Sequence, residues 1–225
     1  LGLVAVLAVA AIAYFTIQAR NPAANALATA SESVKTEIKA TDRVRGNKDA
    51  PITIIEYASM TCPHCAEFQR TTVPKLVSNY VDTGKVKMIF REFPLDIKAA
   101  AGSMLSRCIA KDDAAKYFAV TDLLFKQQAE WVLKDTTDQL KRIGKMGGLS
   151  NDEIEACLKD QALLDKIAAD QKYANEVLKV NATPTFFING EMLRGEASFE
   201  EFSKKIDALL TPEQREQLRK AWNGR

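Results

Sequence analysis

Cys62-Pro63-His64-Cys65 sets two thiols three positions apart, with the only histidine of the 225 residues between them. Where a helix begins at such a pair, both sulfurs fall in its first turn. Unpaired amides and the positive end of the helix dipole there favour a thiolate over a thiol. Pro63 suits that turn because its missing N–H has no helical partner to lose, and a protonated His64 would add positive charge beside the sulfur. The chemistry this implies is thiol–disulfide exchange at Cys62 and Cys65. The same spacing is half of a zinc site, but a tetrahedral site needs two more ligands. The remaining cysteines, Cys108 and Cys157, are far apart, with no second close pair and no second histidine. Hydrolases and metal centres built on several imidazoles are excluded on the same count.

Three further groups bear on this chemistry. Glu56 lies six residues before Cys62 on a run otherwise made of Ile, Thr and Tyr. Buried there it would hold a raised pKa and exchange a proton with Cys65; at a strand end it would instead be a salt-bridged surface group. Cys108 and Cys157 fall in separate expected helices. As a bridge they would stabilise the fold by about 4 kcal/mol in the chain-entropy model, and unpaired they would be small apolar core residues. Met60 and Thr61, just before the first thiol, are candidates for a substrate-facing rim.

The elements that must position these groups follow from hydrophobic period. Residues 51–57, PITIIEY, and 86–93, VKMIFREF, read as strands. Residues 62–80 between them have helical spacing, and Pro74 should kink that helix. From Ile97 to Val180 the chain is almost continuously helical, with breaks at Asp112-Asp113, from Lys134 to Thr137, and at Gly147-Gly148. Ser150 and Glu153 form a capping box. Phe118, Leu124, Phe125, Leu133, Leu140 and Ile143 are expected core positions of this block, and Lys204-Lys205 an expected solvated face. Thr185 to Arg194 reads as a hairpin turning at Asn189-Gly190, Ser198 and Glu201 cap a further helix, and Thr211-Pro212 starts a last polar one. A parallel strand pair joined by a helix is a βαβ unit, which the hairpin extends.

CPHC, the Thr183-Pro184-Thr185 triplet and the helical block resemble the bacterial DsbA family of disulfide oxidases, from about Gly46 to Leu210. The resemblance implies an α/β, thioredoxin-like fold, with an all-helical insertion between the βαβ unit and the C-terminal β-hairpin and helix. It implies that Cys62 and Cys65 are the redox pair, that Pro63 and His64 tune it with Glu56, and that Pro184 is a cis-proline facing it. Thr183 and Pro184 would then pair with an extended substrate backbone. A structural Cys108–Cys157 bridge is permitted, since only some members have a second pair. The implied activity is oxidation of reduced exported proteins through a mixed disulfide, without cofactor or metal, by a monomer reoxidised by a DsbB-like quinone-linked membrane protein. Thr183 departs from the valine of the best-known oxidases and occurs in isomerases, so a disulfide isomerase or reductase stays open. A thiol-based copper carrier using Cys62, Cys65 and His64 is a third reading, though no Met-rich or His-rich tract accompanies it.

Residues 1–18, LGLVAVLAVAAIAYFTIQ, carry no charge. Within an expected segment of 1–20 they read as a signal peptide, with Ala28-Thr29-Ala30 a cleavage site, or as a membrane anchor. Both readings export the rest, giving a periplasmic protein, free or anchored to the inner membrane, in a compartment where cysteines pair. Residues 21–48 read as linker, 49–210 as the domain with its insertion at about 97–180, and 211–225 as a helical tail. With 31 basic and 29 acidic side chains, the net charge of +2 offers no field for nucleic acid.

Overall fold

The computed structural model describes residues 36–223; the apolar run at 1–18 and its candidate cleavage site lie outside them. Among the described residues, no helix is long and apolar enough to cross a membrane.

Strand β1 is Val44–Arg45, β2 is Ile52–Ala58, β3 is Val86–Glu92, β4 is Thr185–Ile188 and β5 is Glu191–Arg194. They form one sheet in the order β1-β3-β2-β4-β5. Strands β2 and β3 run parallel from Ile52 opposite Val86 to Ala58 opposite Glu92, while β4 is antiparallel to β2 and β5 to β4. The dense β-branched run of β2 suits its central place: paired on both edges, it has side chains buried on both faces. Helix α1 (Pro63–Thr71), a single turn α2 (Val73–Leu76) and a π-helical turn at Val77–Val81 carry the chain from β2 to β3. The helix expected at 62–80 is thus interrupted at Thr72, and Pro74 falls in the first turn of α2, where it removes no helical bond. At the hairpin, Asn189 and Gly190 both have positive φ, 47° and 91°, as a type I′ turn requires.

Six helices, α3 (Ile97–Ala110), α4 (Ala114–Lys126), α5 (Gln128–Leu133), α6 (Thr136–Met146), α7 (Asn151–Leu158) and α8 (Gln161–Glu176), make the insertion. Asp96, Asp113, Asp135, Ser150 and Asp160 each cap a following helix through the side chain, so the breaks at Asp112-Asp113, Lys134 to Thr137 and Gly147-Gly148 are helix starts with their own acceptors, while Asp160 starts a helix where the sequence showed no break. Helices α9 (Phe199–Leu209) and α10 (Pro212–Asn223) close the chain. Alternation along β2 divides the core. Ile52 and Ile54 pack with Phe68, Leu76, Phe186 and Phe202 on the α1 side, and Ile55 and Tyr57 with Ile89, Phe187 and Leu178 on the other. A third cluster, built on Tyr117, Leu124, Phe125, Trp131, Leu140 and Ile143, fills the insertion.

Two expectations change. Leu133 is 81% exposed rather than core, because the short α5 buries Trp131 alone, whose indole N–H donates to the Leu124 carbonyl at 2.8 Å. The folded unit also reaches back into the expected linker at 21–48. Strand β1 pairs with β3, and Asp42 is buried in a two-point ion pair with Arg91, at 3.0 and 2.6 Å, while Arg91 also donates to the Tyr57 hydroxyl at 2.7 Å. The polar composition around Asp42 hid this, since a charge whose partner comes from β3 reads in sequence as solvated.

Cys108 on α3 and Cys157 on α7 are joined in a disulfide across 49 residues of chain. A Cys108→Ala/Cys157→Ala variant is expected to lose about 4 kcal/mol of unfolding free energy by chemical denaturation, the loop-closure entropy returned to the unfolded chain. An unchanged midpoint would mean that the bridge constrains nothing.

Candidate active site

The end of β2 and the start of α1 bring the Cys62 sulfur to the sheet's C-terminal edge, with Cys65 buried beneath it. Cys62 is the N-cap of α1 with extended backbone, φ −75° and ψ 120°, and its sulfur accepts from the Cys65 amide at 3.4 Å, as a cap oxygen would. Pro63 is the first helical residue. The Thr183–Pro184 peptide is cis, and the Thr183 carbonyl lies 3.4 Å from the Cys62 sulfur, which donates to it as a thiol. Both cysteines are reduced; Cys62 is 6% exposed and Cys65 fully buried.

This geometry separates the two thiols electrically. Cys62 is lowered from the ordinary 9.0 to about 5: the Cys65 thiol is the largest cause, burial opposes it, and the Thr183 side chain and the amides of Cys65 and His64 add to the lowering. Cys65 moves the other way, pushed far up by burial, then by its bond to Cys62 and by the charge of Glu56. Glu56 is itself 2% exposed, on the α1 face of β2, and burial raises it from 4.5 to about 8 despite the Gln69 amide donating to Oε2 at 2.8 Å. Its Oε1 is buried without a hydrogen-bond partner, which also favours the protonated carboxyl. His64 is exposed and held at 3.0 Å by Glu196; that bond, then the Cys62 charge, raises its pKa.

The sequence-derived residues Cys62, Pro63, His64, Cys65, Glu56, Thr183 and Pro184 therefore converge on one edge, whereas the Cys108–Cys157 bridge belongs to the insertion. Met60 is not a rim residue. It is fully buried against Gly102, where a β-carbon would come within 3.5 Å of it, so the rim passes to Thr61, whose hydroxyl donates to Asp96 at 2.6 Å. Sequence reasoning also passed over Gln69, Glu196, and the Arg45–Asp122 pair, whose charges act on Glu56 in opposite senses. Gln128 was missed too: its side-chain amide donates to the carbonyls of Met60 at 3.0 Å and Cys62 at 2.9 Å. Each is an exposed-type polar residue with no local pattern to mark it. Beside Pro63 an open groove of about 820 Å³ runs past Ala66, Val73, Phe125, Gln128 and Ala129.

A strand, a dithiol on a helix N-terminus, and a cis-proline loop across from it define a thioredoxin-type redox site. The Thioredoxin family model matches residues 38–208. A Rickettsia bellii relative bearing a protein-disulfide oxidoreductase name is 36% identical over 155 residues, 68% of this chain and 59% of that one. The chain thus spans about three fifths of that curated relative. The crystal structure of Wolbachia pipientis alpha-DsbA1 is similar at 35% identity with a TM-score of 0.72, over 77% of this chain and 93% of that one. BdbD from Bacillus subtilis, at 21% identity and a TM-score of 0.65 over 75% of this chain and 92% of its own, shares the fold. The chain belongs to the thioredoxin family, among its DsbA-like thiol:disulfide oxidoreductases.

The raised Glu56 pKa has a stability consequence. Between pH 4.5 and about 8 the native state holds a proton here that the unfolded chain has lost, so this group lowers stability as pH rises and does so fully above 8. Glu56→Gln is expected to raise the denaturation midpoint, by an amount that grows from pH 4.5 to 8 and then levels. A difference independent of pH would show that Glu56 is ionised in the folded protein.

Proposed function

We propose that the protein is a periplasmic protein-disulfide oxidase, with Cys62 and Cys65 as the catalytic pair. The observation that carries this is the opposition of the two thiols, one lowered to about 5 and the other raised by burial. A substrate thiolate attacks the Cys62 sulfur of the enzyme disulfide, and the electron pair of the broken S–S bond leaves on Cys65. Cys65 is a poor anion in its buried place and takes the proton of Glu56, which is neutral below about pH 8. Deprotonation of the second substrate thiol lets it attack the substrate sulfur of the mixed disulfide and expel Cys62 as a stable thiolate. The substrate loses two electrons and the enzyme gains them, and Glu56 recovers its proton from solvent. Extended substrate backbone would pair beside Thr183 and Pro184, giving affinity with little dependence on side chains.

Stabilising one product of a reaction drives it forward, so a stable Cys62 thiolate makes the enzyme disulfide oxidising. The same logic separates DsbA, near about −120 mV, from thioredoxin, near about −270 mV. The proposed partners are reduced exported proteins and a DsbB-like quinone-linked membrane oxidant, acting on a monomer whose apolar N-terminal run exports it and is cleaved or anchors it. One observation favours a second reading, isomerisation: Thr183, not valine, precedes the cis-proline.

Equilibration with glutathione is expected to give a potential at the oxidising end of that range, with Cys62→Ser as the blank; a value near that of thioredoxin would leave a reductase or isomerase. Cys65→Ser cannot form the enzyme disulfide, but its Cys62 thiolate can attack the disulfide of an oxidised client, the reverse of the release step, and with no Cys65 thiol to expel the client the mixed disulfide is expected to accumulate on Cys62. Its absence would remove Cys62 as the sulfur that bonds to the client.

A further inference from the structure

Gln128 opens α5, in the helical insertion, yet its side chain reaches the loop that carries the first thiol. One amide nitrogen, Nε2, donates to two carbonyls, Met60 at 3.0 Å and Cys62 at 2.9 Å, so both of its hydrogens are used on residues more than sixty positions away. The Cys62 carbonyl also accepts the Ala66 amide at 3.1 Å, the first backbone bond of α1. That peptide is therefore held from two directions. The loop is tied to the insertion at a second point, where Thr61 donates to Asp96 and the Ser59 hydroxyl accepts the Leu95 amide at 3.2 Å. Met60 between them is fully buried.

We propose that Gln128 is a positioning residue for the redox pair, its amide fixing the Met60 and Cys62 carbonyls so that the Cys62 sulfur stays on the Cys65 amide. The cap geometry depends on the Cys62 backbone angles, and rotation of the adjoining peptide plane swings the sulfur off the helix N-terminus. Gln128 also supplies hydrogen to the Met60 carbonyl, which would lose that donor with it, while the Cys62 carbonyl keeps the Ala66 amide. The insertion, by this contact, sets the chemistry of a thiol that belongs to the other half of the fold. This deepens the dithiol reading given above and rests on it.

Gln128→Met keeps the length and volume of the side chain and removes the donor, so it tests the contact without opening a cavity. Ultraviolet titration of the Cys62 thiolate and glutathione equilibration are read together, with Arg142→Ala as a control that cuts the bond to neighbouring Gln127 and leaves the loop untouched. The expected result for Gln128→Met is a rise of about one pH unit in the Cys62 midpoint, a tenfold loss of thiolate stability. The potential should move about 30 mV toward reducing values, the same tenfold change for a two-electron couple. Arg142→Ala should lower stability and move neither. A second measurement uses the unaltered chain: both Gln128 side-chain amide protons should exchange slowly and shift as Cys62 titrates. Unchanged titration and potential in Gln128→Met, or amide protons indifferent to Cys62, would overturn the proposal. A wild-type midpoint near the ordinary thiol value would instead overturn the oxidase reading.

Discussion

The contact on which the rest of the molecule depends joins the Cys62 sulfur to the unpaired amides of the first turn of α1. A helix N-terminus has donors with no partner in the helix, and an anion placed there gains from each and from the dipole behind them. Much of the architecture holds one atom in that place. Strand β2 ends where α1 must begin, Pro63 starts the helix without losing a bond, the cis-proline loop closes the sulfur from the front, and the insertion ties down the loop behind it. The gain is selective. Only the first sulfur caps the helix, while the second is fully buried, where desolvation outweighs the Ser59 backbone bond that favours its anion.

Depth then divides the labour among three ionisable groups. Cys62 at the edge prefers the charged form, and Cys65 and Glu56 beneath it prefer the neutral one. In the proposed cycle, attack on Cys62 puts a negative charge in the buried position, where it is least welcome, and the neutral Glu56 carboxyl would remove it. The same burial that makes Glu56 costly to the fold at neutral pH would, on this proposal, fit it as a proton donor, so that stability and chemistry draw on one group in opposite directions.

The sequence made some of this legible and could not show the rest. The dithiol, the strand before it and three of the helix breaks in the insertion rest on local signals: a four-residue motif, β-branched density, and polar or glycine pairs with the Ser150 cap; the starts at Gln128 and Gln161 carried none that was read. Glu56 stood out because a carboxylate interrupts an otherwise apolar strand. Gln128, Gln69 and Glu196 carried no such mark, since a polar residue on a helix or loop reads as solvated until its distant partner is known. Strand β1 was missed for a related reason, being two residues long and fixed by pairing with β3 rather than by its own pattern. Leu133 and Met60 erred in opposite senses, one a leucine at the end of a helix too short to bury it, the other a residue beside a reactive thiol that packs inward.

If thiolate stabilisation is what makes the pair oxidising, it must appear as a difference in stability between the two redox forms. Denaturant unfolding of the reduced and oxidised protein as a function of pH reads it directly. Because the Cys62 pKa is depressed in the folded state, its contribution to the reduced form is present above the ordinary thiol value and lost as pH falls through about 5. The reduced protein should be the more stable form at pH 7, with an advantage that shrinks toward pH 5. An oxidised form more stable at neutral pH, or a difference that does not vary with pH, would contradict it.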